Sequence, residues 1–110
     1  MNIAARASDG FTILDISGDI DLAHSPQMRK ALLTEIKEKK IPKVFLNLKN
    51  VRYIDSSGIA SLVEGLKASR DAGSRLILYS LSTSVREVMQ LSRLQKIFEI
   101  FDDEQQALAS

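Results

Sequence analysis

Alternating apolar and polar side chains open the chain. Asn2–Ala7 and Phe11–Ile16 read as two short strands. In the second, Phe11, Ile13 and Ile16 alternate with Thr12 and Asp15, although Leu14 interrupts the period of two. Ser8-Asp9-Gly10 between them is turn chemistry, because Gly accepts positive φ and Asp bonds its own backbone. The Gly18-Asp19-Ile20-Asp21 segment is expected to lead away from the sheet. The period then changes. Met28, Leu32 and Ile36, flanked by Ala31 and Leu33, recur at helical spacing. Ser25-Pro26 is the predicted start of this helix, with Ser as cap and Pro at the first helical position. Lys37-Glu38-Lys39-Lys40 suits the negative C-terminal end of the dipole, and Ile41-Pro42 stops the helix.

Lys43–Leu48 carries the nearly continuous apolar run Val44-Phe45-Leu46, the mark of a central strand buried on both faces. Asn50–Asp55 reads as a loop. A helix follows from Ser56 to Ala72 with Ile59, Leu62, Val63 and Leu66 inward, and Gly73 ends it. Arg75–Tyr79 is another apolar strand. Thr83–Leu94 is the third helix, with Val85, Val88 and Met89 inward and the capping-box spacing at Ser84 and Glu87. Ile97–Phe101 is the last strand, and Asp102 or Asp103 caps a short final helix through Leu108. The order β-β-α-β-α-β-α-β-α predicts a single α/β domain over residues 1–110. About five strands form a mixed, mostly parallel sheet packed with about four α-helices, the opening pair is an antiparallel hairpin, and the later strands join through right-handed crossovers.

Composition narrows the function. Of 110 residues, 45% are apolar and 26% charged, which is ordinary globular usage and excludes a disordered chain. Fifteen basic against fourteen acidic residues leave a net charge of +1, so no basic footprint for nucleic acid or an anionic membrane is present. Aromatics are 5% with no Trp, which argues against a base-stacking platform. The absence of Cys removes disulfides and thiolate metal sites, and a single His, His24, removes multi-His metal sites. No apolar run reaches the roughly 18–20 residues of a membrane span, and Met1–Arg6 has no signal-peptide pattern. A cytoplasmic protein without metal or cofactor of its own is expected.

The most informative segment is Val51-Arg52-Tyr53-Ile54-Asp55-Ser56-Ser57-Gly58, which follows a central strand and opens a helix. In open α/β sheets ligand chemistry gathers at the carboxyl ends of strands. A first helical turn offers free N–H groups and a positive dipole end to an anion. A hydroxyl there can bear or contact a phosphate, and Gly58 removes a side chain that would block a close approach. The plain alternative is that Asp55 or Ser56 is only an N-cap. Along the same helix Ser57, Ser61, Gly65 and Ala68 form a stripe of small residues set apart from the apolar face. Gly65 costs about 1 kcal/mol relative to Ala. Such a stripe admits either a partner protein or the neighbouring helix of the same domain. Glu64, Lys67 and Asp71 are an exposed face. A hydrolase built on His24, Asp21 and Ser25 is not supported, since the chain has no G-x-S-x-G elbow. No Walker A or G-x-G-x-x-G pattern supports a nucleotide-binding enzyme that would use the helix N-terminus for phosphate.

Taken in order, Gly18-Asp19-Ile20-Asp21, Val44-Phe45-Leu46-Asn47-Leu48, Tyr53-Ile54-Asp55-Ser56-Ser57-Gly58-Ile59, Ser82-Thr83-Ser84-Val85-Arg86 and Leu91-Ser92-Arg93-Leu94 resemble the STAS family, and within it the bacterial anti-sigma factor antagonists. The resemblance covers nearly the whole chain. It implies a non-enzymatic partner-switching protein. Unphosphorylated, such antagonists sequester an anti-sigma factor that is also a GHKL-type serine kinase. The kinase spends its own ATP to phosphorylate a serine on the antagonist, which then lets go, and a PP2C-like phosphatase resets the switch. The implied phosphoacceptor is the serine directly after the Asp, here Ser56. Asp21 matches the acidic residue that ends the Gly-acid-aliphatic-Asp segment. The expected partner surface comprises Asp19, Asp21, Asp55, Ser57, Gly58, Ser61 and Gly65, on a protein that is monomeric when free. Other readings within the family are a stressosome-type scaffold subunit and a STAS subunit of a lipid-transport ATPase; the complete Asp55-Ser56-Ser57-Gly58 motif and the short single domain favour the antagonist.

Overall fold

In the computed structural model, which describes residues 1–110, five strands form one sheet in the order β1-β2-β3-β4-β5. They are β1 (Asn2–Ser8), β2 (Phe11–Ile20), β3 (Lys43–Ile54), β4 (Arg75–Tyr79) and β5 (Glu99–Phe101). β1 runs antiparallel to β2 and the remaining neighbours are parallel, as expected for a hairpin followed by strand–helix–strand units. The helices are α1 (Ser25–Leu33), α2 (Ser56–Ala72), α3 (Thr83–Leu91) and α4 (Glu104–Leu108). A π-helical turn, Thr34–Glu38, extends α1, and a 3₁₀ turn, Leu94–Lys96, follows α3.

Burial on both faces explains the apolar runs. Leu14, Ile16, Val44, Leu46, Leu76 and Leu78 point into the main core with Met28 and Leu32 of α1, Leu62 and Leu66 of α2, and Val85 and Met89 of α3. The alternate residues Ile13, Phe45, Ile77 and Tyr79 form a smaller core closed by Ala107 of α4. Leu14 breaks the period of two because Ile13 and Leu14 are each buried, one on either side. On the α4 face Arg6 joins Asp15 and Glu104, Tyr79 donates its hydroxyl to Glu104 at 2.7 Å, and Asn47 donates to Asp15 at 2.8 Å. The Arg6 guanidinium holds both carboxyls below their usual range. Burial, reinforced by Glu104, pushes the Tyr79 hydroxyl up.

Several boundaries differ from expectation. Gly18-Asp19-Ile20 does not leave the sheet. It continues β2 beside Val51, Tyr53 and Ile54, so residues 50–54 are strand and not loop. Two register shifts absorb the mismatch between the strands, and Gly18 adopts φ +100°, a conformation natural to glycine alone. Ser25 does not cap α1. The cap residue is His24, whose backbone N–H donates to the Asp21 carboxylate, while Ser25 is buried. The cap of α3 is Ser82, which accepts from the Val85 N–H, so Ser84 and Glu87 form no capping box. α3 ends at Leu91, and Ile97 lies outside the last strand. Asp103 caps α4, accepting from the Gln106 N–H at 2.8 Å.

Candidate functional site

β2 and β3 end side by side, and α2 starts where β3 stops. The Asp55 N–H donates to the Ile20 carbonyl, which ties the two strand ends together. Asp55 then caps α2. Its Oδ1 accepts the N–H groups of Ser57 at 2.9 Å and Gly58 at 3.1 Å. Its Oδ2 accepts the Leu22 N–H at 3.1 Å, from the segment that leaves β2. One carboxylate therefore satisfies two orphan donors of the helix and anchors a loop 33 residues away in sequence.

Ser56 is the first residue of α2 and it is exposed. Capping is done by its neighbour, so the Ser56 hydroxyl is not needed for the local structure. It sits at the positive end of a 17-residue helix, where an added anion is tolerated. Asp19, opposite Tyr53 in the sheet, and Asp21, just past β2, lie at the same end. Asp19 makes a long, exposed ion pair with Arg52 at 3.8 Å, the kind that contributes little to stability. Asp21 accepts from the His24 backbone at 3.0 Å and contacts His24 Nδ1 at 2.7 Å. Desolvation raises the Asp21 carboxyl, but the two His24 contacts outweigh it and hold the group below its ordinary value. The His24–Asp21 pair thus serves the turn before α1.

Asp19, Asp21, Asp55, Ser56 and Ser57 are gathered at one end of the sheet. The rest of the expected partner surface is not. Gly58 is buried, and a Cβ there would lie 2.4 Å from the Ile20 carbonyl oxygen. The close approach permitted by this glycine is to the chain's own β2. Ser61 is only 5% exposed and donates its hydroxyl to the Ser25 carbonyl of α1. Gly65 is buried, and a Cβ there would lie 2.9 Å from Leu32 Cδ1. Ala68 is buried as well. The small stripe is the seam between α1 and α2, bridged at the surface by Arg29 and Glu64. Assignment of Gly58, Ser61 and Gly65 to a partner surface is therefore corrected: Gly58 is closed against the end of β2, Ser61 and Gly65 let α1 and α2 approach closely, and these positions are used up inside the domain.

Two exposed apolar side chains bracket Asp55-Ser56 and were not singled out from the sequence. Leu22 is 74% exposed and Tyr53 is 51% exposed. The signal for both was weak: Leu22 directly follows the strand end, and Tyr53 falls within a segment read as a loop. Together they make this end of the sheet amphipathic, a rim of carboxylates and hydroxyls around apolar anchors. No group of His, Cys, Asp or Glu side chains that could hold a metal ion is present, and no helix is long and apolar enough to cross a membrane.

Comparison with known proteins places this geometry in a family. The chain is 28% identical over 99 residues to an anti-sigma F factor antagonist of Paenibacillus polymyxa, covering 90% of this chain and 85% of that protein. It is 24% identical over 100 residues to an anti-sigma-B factor antagonist of Staphylococcus aureus, covering 91% of this chain and 92% of that protein. The crystal structure of a candidate anti-sigma factor antagonist from Thermotoga maritima superposes with a TM-score of 0.91 at 26% identity, covering 97% of this chain and 92% of that one. The family model for the STAS domain matches residues 2–107, and this chain belongs to the STAS domain family.

Proposed function

We propose that this protein is an anti-sigma factor antagonist that works as a phosphorylation-controlled partner switch. Unphosphorylated, it holds an anti-sigma factor that is also a GHKL-type serine kinase; phosphorylated on Ser56, it releases that partner, and a PP2C-like phosphatase restores it. The names of the relatives support the coarse role. The observation that carries the switch is the exposed Ser56 hydroxyl at the first position of α2, with capping already supplied by Asp55.

The physical logic is local. Phosphorylation adds about −1.5 to −2 charges at pH 7. The N-terminus of α2 tolerates them, so the fold survives. The bound interface does not, because binding strips water from a phosphate that stands beside Asp55 and near Asp19 and Asp21, and the repulsion that water screens in the free protein grows when the surface is covered. Two like unit charges about 4 Å apart repel by about 1 kcal/mol in water and roughly 4 kcal/mol at an effective dielectric near 20, so covering the site adds about 3 kcal/mol against binding. Each 1.4 kcal/mol is about tenfold in affinity. Leu22 and Tyr53 supply the apolar contacts, and the carboxylates and Ser57 form the polar rim. The chain itself carries out no catalysis and needs no cofactor; ATP belongs to the partner kinase.

The test is incubation with a GHKL-type kinase and ATP, followed by peptide mass spectrometry of wild type and Ser56→Ala. One phosphate on Ser56, absent from Ser56→Ala, is expected. Phosphate on Ser57 with Ser56→Ala still fully modified would overturn the assignment.

A further inference from the structure

The two edges of the sheet are treated differently. β5 is three residues long, and its Glu99 is occupied by Arg75. A short edge strand with charged side chains is a protected edge. β1 is seven residues long, contains no proline, and is exposed over all its length except Ile3, which is half-buried. Its pairing with β2 runs from Asn2 to Ser8 without a register shift, so no bulge blunts the edge. Its single charge, Arg6, is neutralised on the α4 face by Asp15 and Glu104. Apart from Arg6, whose charge is paired within the chain, β1 carries none of the usual devices against edge pairing.

The register states which backbone groups are free. Asp9-Gly10 is a two-residue connection with Ser8 opposite Phe11, so these two exchange backbone hydrogen bonds. Counting back by twos, Arg6, Ala4 and Asn2 direct their N–H and C=O groups to β2. Ile3, Ala5 and Ala7 direct theirs outward.

We propose that the β1 edge is a homodimer interface, in which β1 of a second copy of this chain pairs antiparallel to it about a two-fold axis at Ala5. This register is self-complementary. Ala5 faces Ala5 and Ile3 faces Ala7, so the residues with free backbone groups meet one another. Three such pairs give about six hydrogen bonds. Arg6 faces Ala4, so no like charges stand opposite each other, and alanine leaves the strands free to approach. A two-fold axis makes the contact closed, and the expected free monomer becomes the dilute species of a monomer–dimer equilibrium. α2 packs over β3 and β4, away from this edge, so both copies keep Ser56 accessible. The inference rests on the β1 backbone and does not depend on the switch proposed above.

Sedimentation velocity from micromolar to millimolar concentration tests it, together with cysteine pairs in a chain that has none of its own. Wild type shifts to a dimer as concentration rises. Ala5→Lys places lysine opposite lysine at the axis; it stays monomeric throughout while its thermal unfolding matches wild type. Ala5→Cys brings two thiols to a Cα separation of about 5.5 Å, within the roughly 4.4–6.8 Å that a disulfide spans. It links covalently in a glutathione buffer. Ala7→Cys, with its counterpart roughly 14 Å away at about 3.4 Å per residue, does not. A wild type that remains monomeric at millimolar concentration overturns the proposal. So does a dimer unaffected by Ala5→Lys, or Ala7→Cys linking as readily as Ala5→Cys.

Discussion

Replacing Asp55 with alanine removes one carboxylate and strands three donors. Two are the Ser57 and Gly58 N–H groups at the start of α2, and the third is the Leu22 N–H. Loss of an N-cap costs about 0.5–2 kcal/mol. A hydrogen bond to a charged acceptor contributes about 1.5–3 kcal/mol, and the lower end applies to the Leu22 contact because that residue is exposed. Asp55→Ala is therefore expected to lose about 2–3.5 kcal/mol. With a urea m-value of about 1–3 kcal/mol/M for a domain of this size, the unfolding midpoint falls by about 0.7 M or more. Ser56→Ala supplies the contrast. Ser56 is not the cap, so its truncation leaves stability within about 0.5 kcal/mol of wild type. Asp55→Asn keeps a good capping side chain and falls in between. Urea titrations followed by circular dichroism on the four proteins decide the matter. A loss above 1 kcal/mol in Ser56→Ala, or equal midpoints for the Asp55 and Ser56 alanine variants, would show that the cap lies elsewhere.

Three further outcomes follow from the same geometry. Ser56→Asp should stay within about 1 kcal/mol of wild type in thermal unfolding, because an acid suits the first turn of a helix; in titration calorimetry it should bind the kinase-type partner about tenfold more weakly or worse, and wild-type affinity in a folded variant would refute the electrostatic switch. Gly58→Ala should cost more stability than Gly65→Ala. The first puts a Cβ 2.4 Å from a backbone oxygen, whereas the second meets the movable end of Leu32 and recovers about 1 kcal/mol of helix propensity; equal losses in urea would contradict the packing described. Asp15 and Glu104, whose ordinary values are 3.8 and 4.5, are held lower in the folded state chiefly by Arg6. Their contribution is present above those values and fades as pH falls through the lower folded ones, so Arg6→Met should flatten the loss of stability below about pH 4.5; an acid limb identical to wild type would dismiss the network.

The local signals were decisive wherever the physics is local. The order of strands and helices, the turn at Asp9-Gly10, the stop at Gly73 and the motif around Ser56 all follow from periodicity, turn chemistry and capping within a few residues. Both-face burial of the central strand was legible in Val44-Phe45-Leu46 because no polar side chain interrupts it. What the tertiary structure decided was the choice among groups equally able to serve. Asp55, Ser56 and Ser25 all look like caps; Asp55 serves at α2, where its other oxygen also takes Leu22 across the β2 end, and Ser25 is passed over because the turn at Asp21 starts α1 at Ser25 itself and leaves His24 in the cap position. Residues 50–54 look like a loop, yet the extension of β2 to Ile20 gives their backbone groups a partner and keeps them in the sheet. The small stripe on α2 suits a foreign surface or its own neighbour equally well, and α1, tethered a short distance away in the same chain, occupies it first. Contacts between segments that are distant in sequence leave no periodic trace in either one, because each segment shows only the capacity to bond or to pack, and the partner is chosen by where the rest of the sheet places it.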